Sequence, residues 1–154
     1  MYRHFAPGYG ALSGEGARRL GGRWNPPDSF AVLYAASDVA TVDAEFDRQL
    51  ALARLRPDSV RPRDLATIKI ELRRVLDLRE PRIRDALDVS LAELLADDTA
   101  VSRAIGEAAQ HLGYEAILAP SAASGPGYVV AIFLTNRAPD SHIDVVNVEQ
   151  YTRA

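Results

Sequence analysis

Seven consecutive residues, Gly21-Gly22-Arg23-Trp24-Asn25-Pro26-Pro27, bring together two glycines, a guanidinium, an indole, a side-chain amide and two prolines. Arginine presents a planar fork of donors suited to phosphate or carboxylate, and tryptophan offers a flat apolar face. Adjacent glycines admit positive φ and close approach of a ligand to the backbone, while prolines stiffen the exit from a turn. Tyr34 follows in an apolar run, and Glu45 stands 22 positions after Arg23 within an otherwise apolar helical pattern. Far along the chain, Pro120-Ser121 closes another apolar run. Arg, Tyr, Glu and Ser of this kind suit a site for an anionic ligand with a ring.

Each of these residues has an ordinary alternative. Arg23 could be a loop arginine paired with one of the 21 acidic residues, and Tyr34 a core tyrosine with a satisfied hydroxyl. Glu45 could be a helix-surface glutamate and Ser121 a turn serine. Other chemistries have weaker support. His4, His111 and His142 are far apart, without an H-E-x-x-H or comparable ligand spacing, so no metal site is expected. There is no G-x-S-x-G elbow, no G-x-G-x-x-G fingerprint and no P-loop G-K-[ST].

The elements that must position these residues can be read from periodicity. Met1–Phe5 reads as an edge strand, and the glycine-rich stretch 6–22 as a loop. Phe30–Ala35 is β-prone and bounded by turn residues, which predicts a buried strand. Ser37 is placed to cap a helix over Val39–Leu55, with Val39, Val42, Phe46, Leu50 and Ala53 facing inward. Glu45 lies about 60° round that helix from Val42, beside the buried stripe. Thr67–Arg73 alternates as a strand with one solvated face, and Val75–Leu78 continues it past an irregularity. Short helical pieces are expected at Ile83–Leu87 and Ser90–Leu95. A further helix, capped by Thr99 or Asp98, carries Val101, Ile105, Ala108 and Leu112 on its apolar side and stops at Gly113. Strands at Tyr114–Ala119, Tyr128–Leu134 and Ile143–Val148 complete the pattern. With no regular βαβ rhythm, the expected class is α+β.

Bulk properties bound the function. A chain of 154 residues, 47% hydrophobic and 25% charged, suits one domain, 1–154, with its own core. The absence of cysteine excludes disulfides, thiolate nucleophiles and sulfur-held zinc. A formal net charge of −3 gives no support for direct nucleic-acid binding. No signal-like start and no membrane-length apolar run are visible, so the expected location is cytoplasmic, without membrane contact.

The run Gly21-Gly22-Arg23-Trp24-Asn25-Pro26, then Val32-Leu33-Tyr34, Ala44-Glu45 and Ala119-Pro120-Ser121-Ala122 resembles the RES domain family. That family is named for an arginine, a glutamate and a serine, which map onto Arg23, Glu45 and Ser121. The resemblance spans Tyr2 to about Leu134. It implies a single domain with an ADP-ribosyltransferase-like fold, mixed and antiparallel sheets with flanking helices. It further implies the toxin of a type II toxin–antitoxin system that consumes NAD+ as substrate by hydrolysis or phosphorolysis of the nicotinamide–ribose bond. The alternatives are a mono-ADP-ribosyltransferase acting on a protein acceptor, and an inactive nucleotide- or antitoxin-binding module. The implied partner is an Xre-type antitoxin that covers the active site. In that reaction Glu45 stabilises developing positive charge, Arg23 grips pyrophosphate or ribose, and Tyr34 packs on nicotinamide. Ser121 bonds the ribose or steadies Glu45, and Trp24 and Asn25 shape the pocket wall. No metal is required, because nicotinamide leaves neutral. Two departures stand out: Asp28 where the family often has glycine, and Ser124–Tyr128 where an asparagine often precedes the next strand.

Overall fold

The computed structural model describes residues 1–153. Its seven strands are β1 (Tyr2–Phe5), β2 (Val32–Ala36), β3 (Asp64–Glu71), β4 (Val75–Asp77), β5 (Ala116–Pro120), β6 (Tyr128–Phe133) and β7 (His142–Gln150). Five α-helices flank them: α1 (Glu15–Leu20), α2 (Val39–Leu52), α3 (Pro81–Ala86), α4 (Leu91–Leu95) and α5 (Ala100–His111). They form one mixed sheet in the order β4-β5-β6-β2-β1-β3-β7, antiparallel except for the β4–β5 pair. The α+β expectation holds. Among the described residues, no helix is long and apolar enough to cross a membrane.

The strand order forces the sheet to curl. Glu71 ends β3 and Val75 begins β4, so the two strand ends lie within about 15 Å along four virtual bonds. In a flat sheet, the five interstrand steps between them would span about 24 Å. The chain therefore does run straight from β3 into β4, as the sequence suggests, but β4 pairs with β5 on the far edge instead of prolonging the β3 ladder. Ile70 and Leu72 come to face Leu118 and Val130 across a small cavity of about 230 Å³. Leu33, Ala35, Ile68, Val130 and Ile132 fill the enclosed face. The opposite face of β2, β5 and β6 packs Val32, Ile117 and Phe133 under the helices, around Trp24 and Leu94. Burial on both sides explains why Tyr128–Phe133 reads as continuously apolar.

One carboxylate holds the corner. Glu115 is 1% exposed and accepts from the backbone N–H groups of Arg73 and Arg74 at 2.6 and 2.8 Å, and of Ala138 at 2.9 Å. It thereby ties the β3–β4 corner to the connection between β6 and β7. Burial alone would raise its pKa; the adjacent Ser141 hydroxyl and the three N–H donors outweigh that and hold it down to about 2.

Several local expectations need correction. β1 lies between β2 and β3, not at an edge; the edges are β4 and β7. The glycine-rich stretch contains α1, held by the Glu15–Arg18 ion pair at 2.6 Å, a short helix without apolar periodicity to reveal it. Asp38, not Ser37, caps α2: its carboxylate accepts from Thr41 N at 2.7 Å, while Ser37 Oγ donates to the second carboxylate oxygen at 2.6 Å. That helix ends at Leu52, short of Leu55, and Arg54 turns left-handed at φ 53°. On α5 the buried residues are Ser102, Gly106 and Ala109, whereas Val101 and Leu112 are exposed. Small residues face inward there because the helix presses against backbone. Gly113 does supply the left-handed stop, at φ 78°.

Because the Glu115 pKa is lower folded than unfolded, its contribution is complete above the ordinary glutamate value of 4.5 and is lost as pH falls toward about 2. Glu115→Gln is expected to cost about 2–3 kcal/mol near neutral pH. It should also shrink the stability difference between neutral pH and pH 3. Urea denaturation at both pH values measures the two effects.

Candidate active site

β1 and β2 pair at a single position, Tyr2 opposite Ala36, and then part. α2 packs on both. A cleft of about 520 Å³ opens there, lined by the β1 residues Arg3 and His4, the β2 residue Tyr34 and the α2 residues Glu45 and Arg48. Gly22, Arg23 and Trp24 complete it from the loop after α1.

That loop is a tight turn. Gly22 N donates to Asn25 O at 2.9 Å, which leaves Arg23 and Trp24 at the tip. Gly21 takes φ 76°, a conformation that favours glycine. A Cβ on Gly22 would lie 2.5 Å from the Tyr34 hydroxyl oxygen. The close approach expected at this glycine is therefore made to Tyr34. Tyr34 Oη donates to Asn25 Oδ1 at 2.8 Å and accepts from Trp24 N at 2.9 Å, and burial pushes its pKa up. Asn25 Nδ2 donates to Ala17 O at 2.7 Å, so this amide is buried behind the cleft wall and spent on the loop. Trp24, 1% exposed, anchors the turn in the helical core. α5 presses on it so closely that a Cβ on Gly106 would meet Trp24 O at 1.8 Å, and Arg103 Nε donates to Gly22 O at 3.0 Å. Asp28 is left-handed at φ 52°, which explains why glycine suits the position and why aspartate, tolerant of that region, can replace it.

Arg23 is held by one nitrogen. Nη1 donates to the carbonyls of Leu94 and Ala96 at 2.9 and 2.8 Å, at the C-terminal end of α4, while Nη2 is buried without a partner. Desolvation, then the nearby Arg48, lowers its pKa. No carboxylate lies within 4 Å of it among the described residues. Glu45, half-buried on α2, accepts from Ser121 Oγ at 2.6 Å across 76 residues of chain. Ser121 Oγ in turn accepts from the N–H groups of Ala123 and Ser124 at 3.1 and 3.0 Å, so the loop after β5 fixes the hydroxyl. Gly127 seats that loop on α2, where a Cβ would meet Thr41 Oγ1 at 2.0 Å. Arg23, Tyr34 and Glu45 thus share one cleft, and Ser121 reaches it through Glu45.

The sequence matches the RES domain over residues 1–153. The chain belongs to the RES domain family. It is 36% identical over 140 residues to the NAD(+) phosphorylase MbcT of Mycobacterium tuberculosis, covering 90% of this chain and 75% of that protein. The Mycobacterium bovis protein of the same name matches equally. A probable NAD(+) phosphorylase of M. tuberculosis is 33% identical over 113 residues, 73% of this chain and 53% of that one. The crystal structure of the M. tuberculosis MbcT–MbcA toxin–antitoxin complex superposes with a TM-score of 0.84 at 32% identity, covering 98% of this chain and 82% of that chain.

On this RES domain, sequence reading missed three other arginines of the cleft, Arg3, Arg48 and Arg63, and the imidazole of His4. Arg48 donates to Asp97 at 2.5 Å. Arg3 and His4 carried a signal, a cation and an imidazole side by side in a short strand. Arg63 sits in an arginine-rich connection and carried none.

Tyr34→Phe removes the hydroxyl that satisfies both Trp24 N and Asn25 Oδ1, leaving buried polar groups unpaired. The expected cost is about 2–4 kcal/mol of stability, measured by chemical denaturation.

Proposed function

We propose that this chain cleaves the nicotinamide–ribose bond of NAD+ and passes the ADP-ribosyl group to orthophosphate, as the toxin of a toxin–antitoxin pair. The observation that carries the reading is the Glu45 carboxylate, oriented by Ser121 at 2.6 Å, in the same cleft as an arginine with a free buried nitrogen. The NAD(+) phosphorylase names of its relatives supply the substrate and favour phosphate over water as acceptor.

Breaking the bond develops oxocarbenium-like charge on the ribose, and a fixed carboxylate beside it lowers the barrier without reorganising. Glu45 has this role, and Ser121 positions it. Arg23 Nη2 takes a pyrophosphate oxygen in a charge-assisted bond while Nη1 stays on its two carbonyls, so the guanidinium is oriented before the ligand arrives. Tyr34 keeps its hydroxyl on the loop and offers its ring edge to nicotinamide. Trp24 forms the wall, and Asn25 supports the turn from behind. An Xre-type antitoxin covers the cleft in this reading; Leu20 and Leu52, 82% and 56% exposed at the mouth, give such a partner apolar contacts.

Nicotinamide release from NAD+ by the purified protein tests the proposal. Glu45→Gln and Arg23→Ala are each expected to reduce it by about 10²–10³-fold with the fold retained, and Ser121→Ala by a smaller factor. Normal release in Glu45→Gln would remove the assignment. Phosphate-dependent formation of ADP-ribose 1″-phosphate supports phosphorolysis, whereas a labelled protein band would indicate transfer.

A further inference from the structure

The cleft is lined by two acidic residues, Glu45 and Asp97, and the proposed chemistry uses only the first. Asp97 stands in the connection between α4 and α5, with its side chain 75% exposed. Arg48 Nη2 donates to Asp97 Oδ1 at 2.5 Å, while Asp97 Oδ2 takes no hydrogen bond from the described residues. One carboxylate oxygen at the cleft wall is therefore left for a ligand.

Placement along α2 orders the two carboxylates. Glu45 accepts from Ser121, whose loop is seated on Thr41, one turn before Glu45. Arg48 follows Glu45 by one turn, about 4.5 Å further along the axis, and reaches Asp97 from there. Arg23 is tied to the carbonyls of Leu94 and Ala96, the second of them next to Asp97 in the chain. Desolvation and then Arg48 press on the Arg23 charge, and Glu45 and then Asp97 support it, so both carboxylates lie within electrostatic reach of one guanidinium. A dinucleotide presents the same series: ribose, pyrophosphate, ribose. With the nicotinamide ribose at Glu45 and the pyrophosphate at Arg23, the second ribose runs toward Asp97.

The surroundings of Asp97 suit a hydroxyl and oppose a phosphate. A carboxylate in a dinucleotide site accepts from the ribose 2′-hydroxyl, whereas a 2′-phosphate calls for an arginine. The arginine at hand, Arg48, is engaged by Asp97 itself. The start of α5, otherwise a place for an anion, is closed by Asp98, whose carboxylate accepts from Ala100 N at 2.9 Å and sets a second negative charge beside the first. Thr99 lines the cleft and caps α5 without spending its hydroxyl, which is left for the same ribose. We propose that Asp97 is a specificity-determining residue: its free oxygen takes the 2′-hydroxyl of the adenosine ribose and its charge excludes a 2′-phosphate, so the cleft selects NAD+ over NADP+. The inference rests on the NAD+-cleaving reading above. Asp97→Asn is then a double change, because it removes the repulsion and releases Arg48 to meet the extra phosphate.

Nicotinamide release by the full chain is measured with NAD+ and with NADP+ as separate substrates, and the readout is the ratio of their kcat/KM values. A structural defect lowers both rates and leaves the ratio alone, whereas a specificity role moves the ratio. The wild type should favour NAD+ by about tenfold or more, a modest figure because an exposed carboxylate is screened. Asp97→Asn should bring the two substrates within about threefold of each other, chiefly by a gain on NADP+. Asp97→Glu should keep the preference, and adding Arg48→Gln to Asp97→Asn should take the gain away. A wild type that cleaves both dinucleotides alike, or an unchanged ratio in Asp97→Asn, overturns the proposal. Release from neither would overturn the cleavage reading instead. Selectivity is then read from binding, as the rise in Tm given by ADP-ribose against that given by 2′-phospho-ADP-ribose, and equal rises or none overturn the proposal as well.

Discussion

Two neighbouring strands in this sheet share one paired position. β1 meets β2 at Tyr2 and Ala36 and then diverges, while each is fully laddered to its other neighbour. Unpaired backbone in a protein interior is costly, so such a gap survives where other groups or solvent occupy it. Here the gap becomes the cleft. Its walls are strands locked on their far sides, its roof is α2, and its floor is the loop after α1. Curling of the sheet at the β3–β4 corner narrows the other side to the small cavity beside Ile70 and Leu118, and this opening is the larger of the two.

The loop that carries Arg23 behaves as part of the core. Trp24 is inserted among aliphatic side chains, Tyr34 bridges the turn's own backbone and side chain, and α5 comes close enough that only glycine fits at position 106. A guanidinium on such a support has little freedom left, which reduces the entropy lost when a ligand binds. The same logic applies to Glu45, which sits on a helix and is tied to a serine whose oxygen is fixed by two backbone donors. Rigid elements hold both groups, at the cost of tight steric tolerance around Gly22, Gly106 and Gly127.

Much of this was legible in the sequence. Strand and helix periods locate most elements, and the grouping of Arg23, Tyr34 and Glu45 in one cleft follows the order in which the family motif presents them. What sequence could not supply was pairing. Nothing in Val75–Leu78 says that it crosses to a distant partner, because parallel pairing with Ala116–Leu118 depends on the curl of the whole sheet. The face of α5 was misread in part because its buried side is defined by a backbone neighbour, so small residues carry it, Ile105 packs at its margin, and Val101 and Leu112 are left outside. Glu115 looks like any charged residue at the start of a strand; its three donors come from residues 23 to 42 positions away. Arg63 gains its place only when Asp64–Glu71 is laid beside β1.

The carbonyls of Leu94 and Ala96 lie at the exit of α4, a five-residue helix held by its Ser90–Glu93 capping box. A helix of that length has little stability of its own. Arg23 is therefore one of the ties that keep the segment in place, and an anion that draws on the same guanidinium shares charge with that tie. A ligand that loosens or tightens that tie would shift the order of residues 90–96, and by linkage that order would shift the ligand's affinity by the same free energy. A short helix outside the recess thus becomes a reporter of what the recess contains.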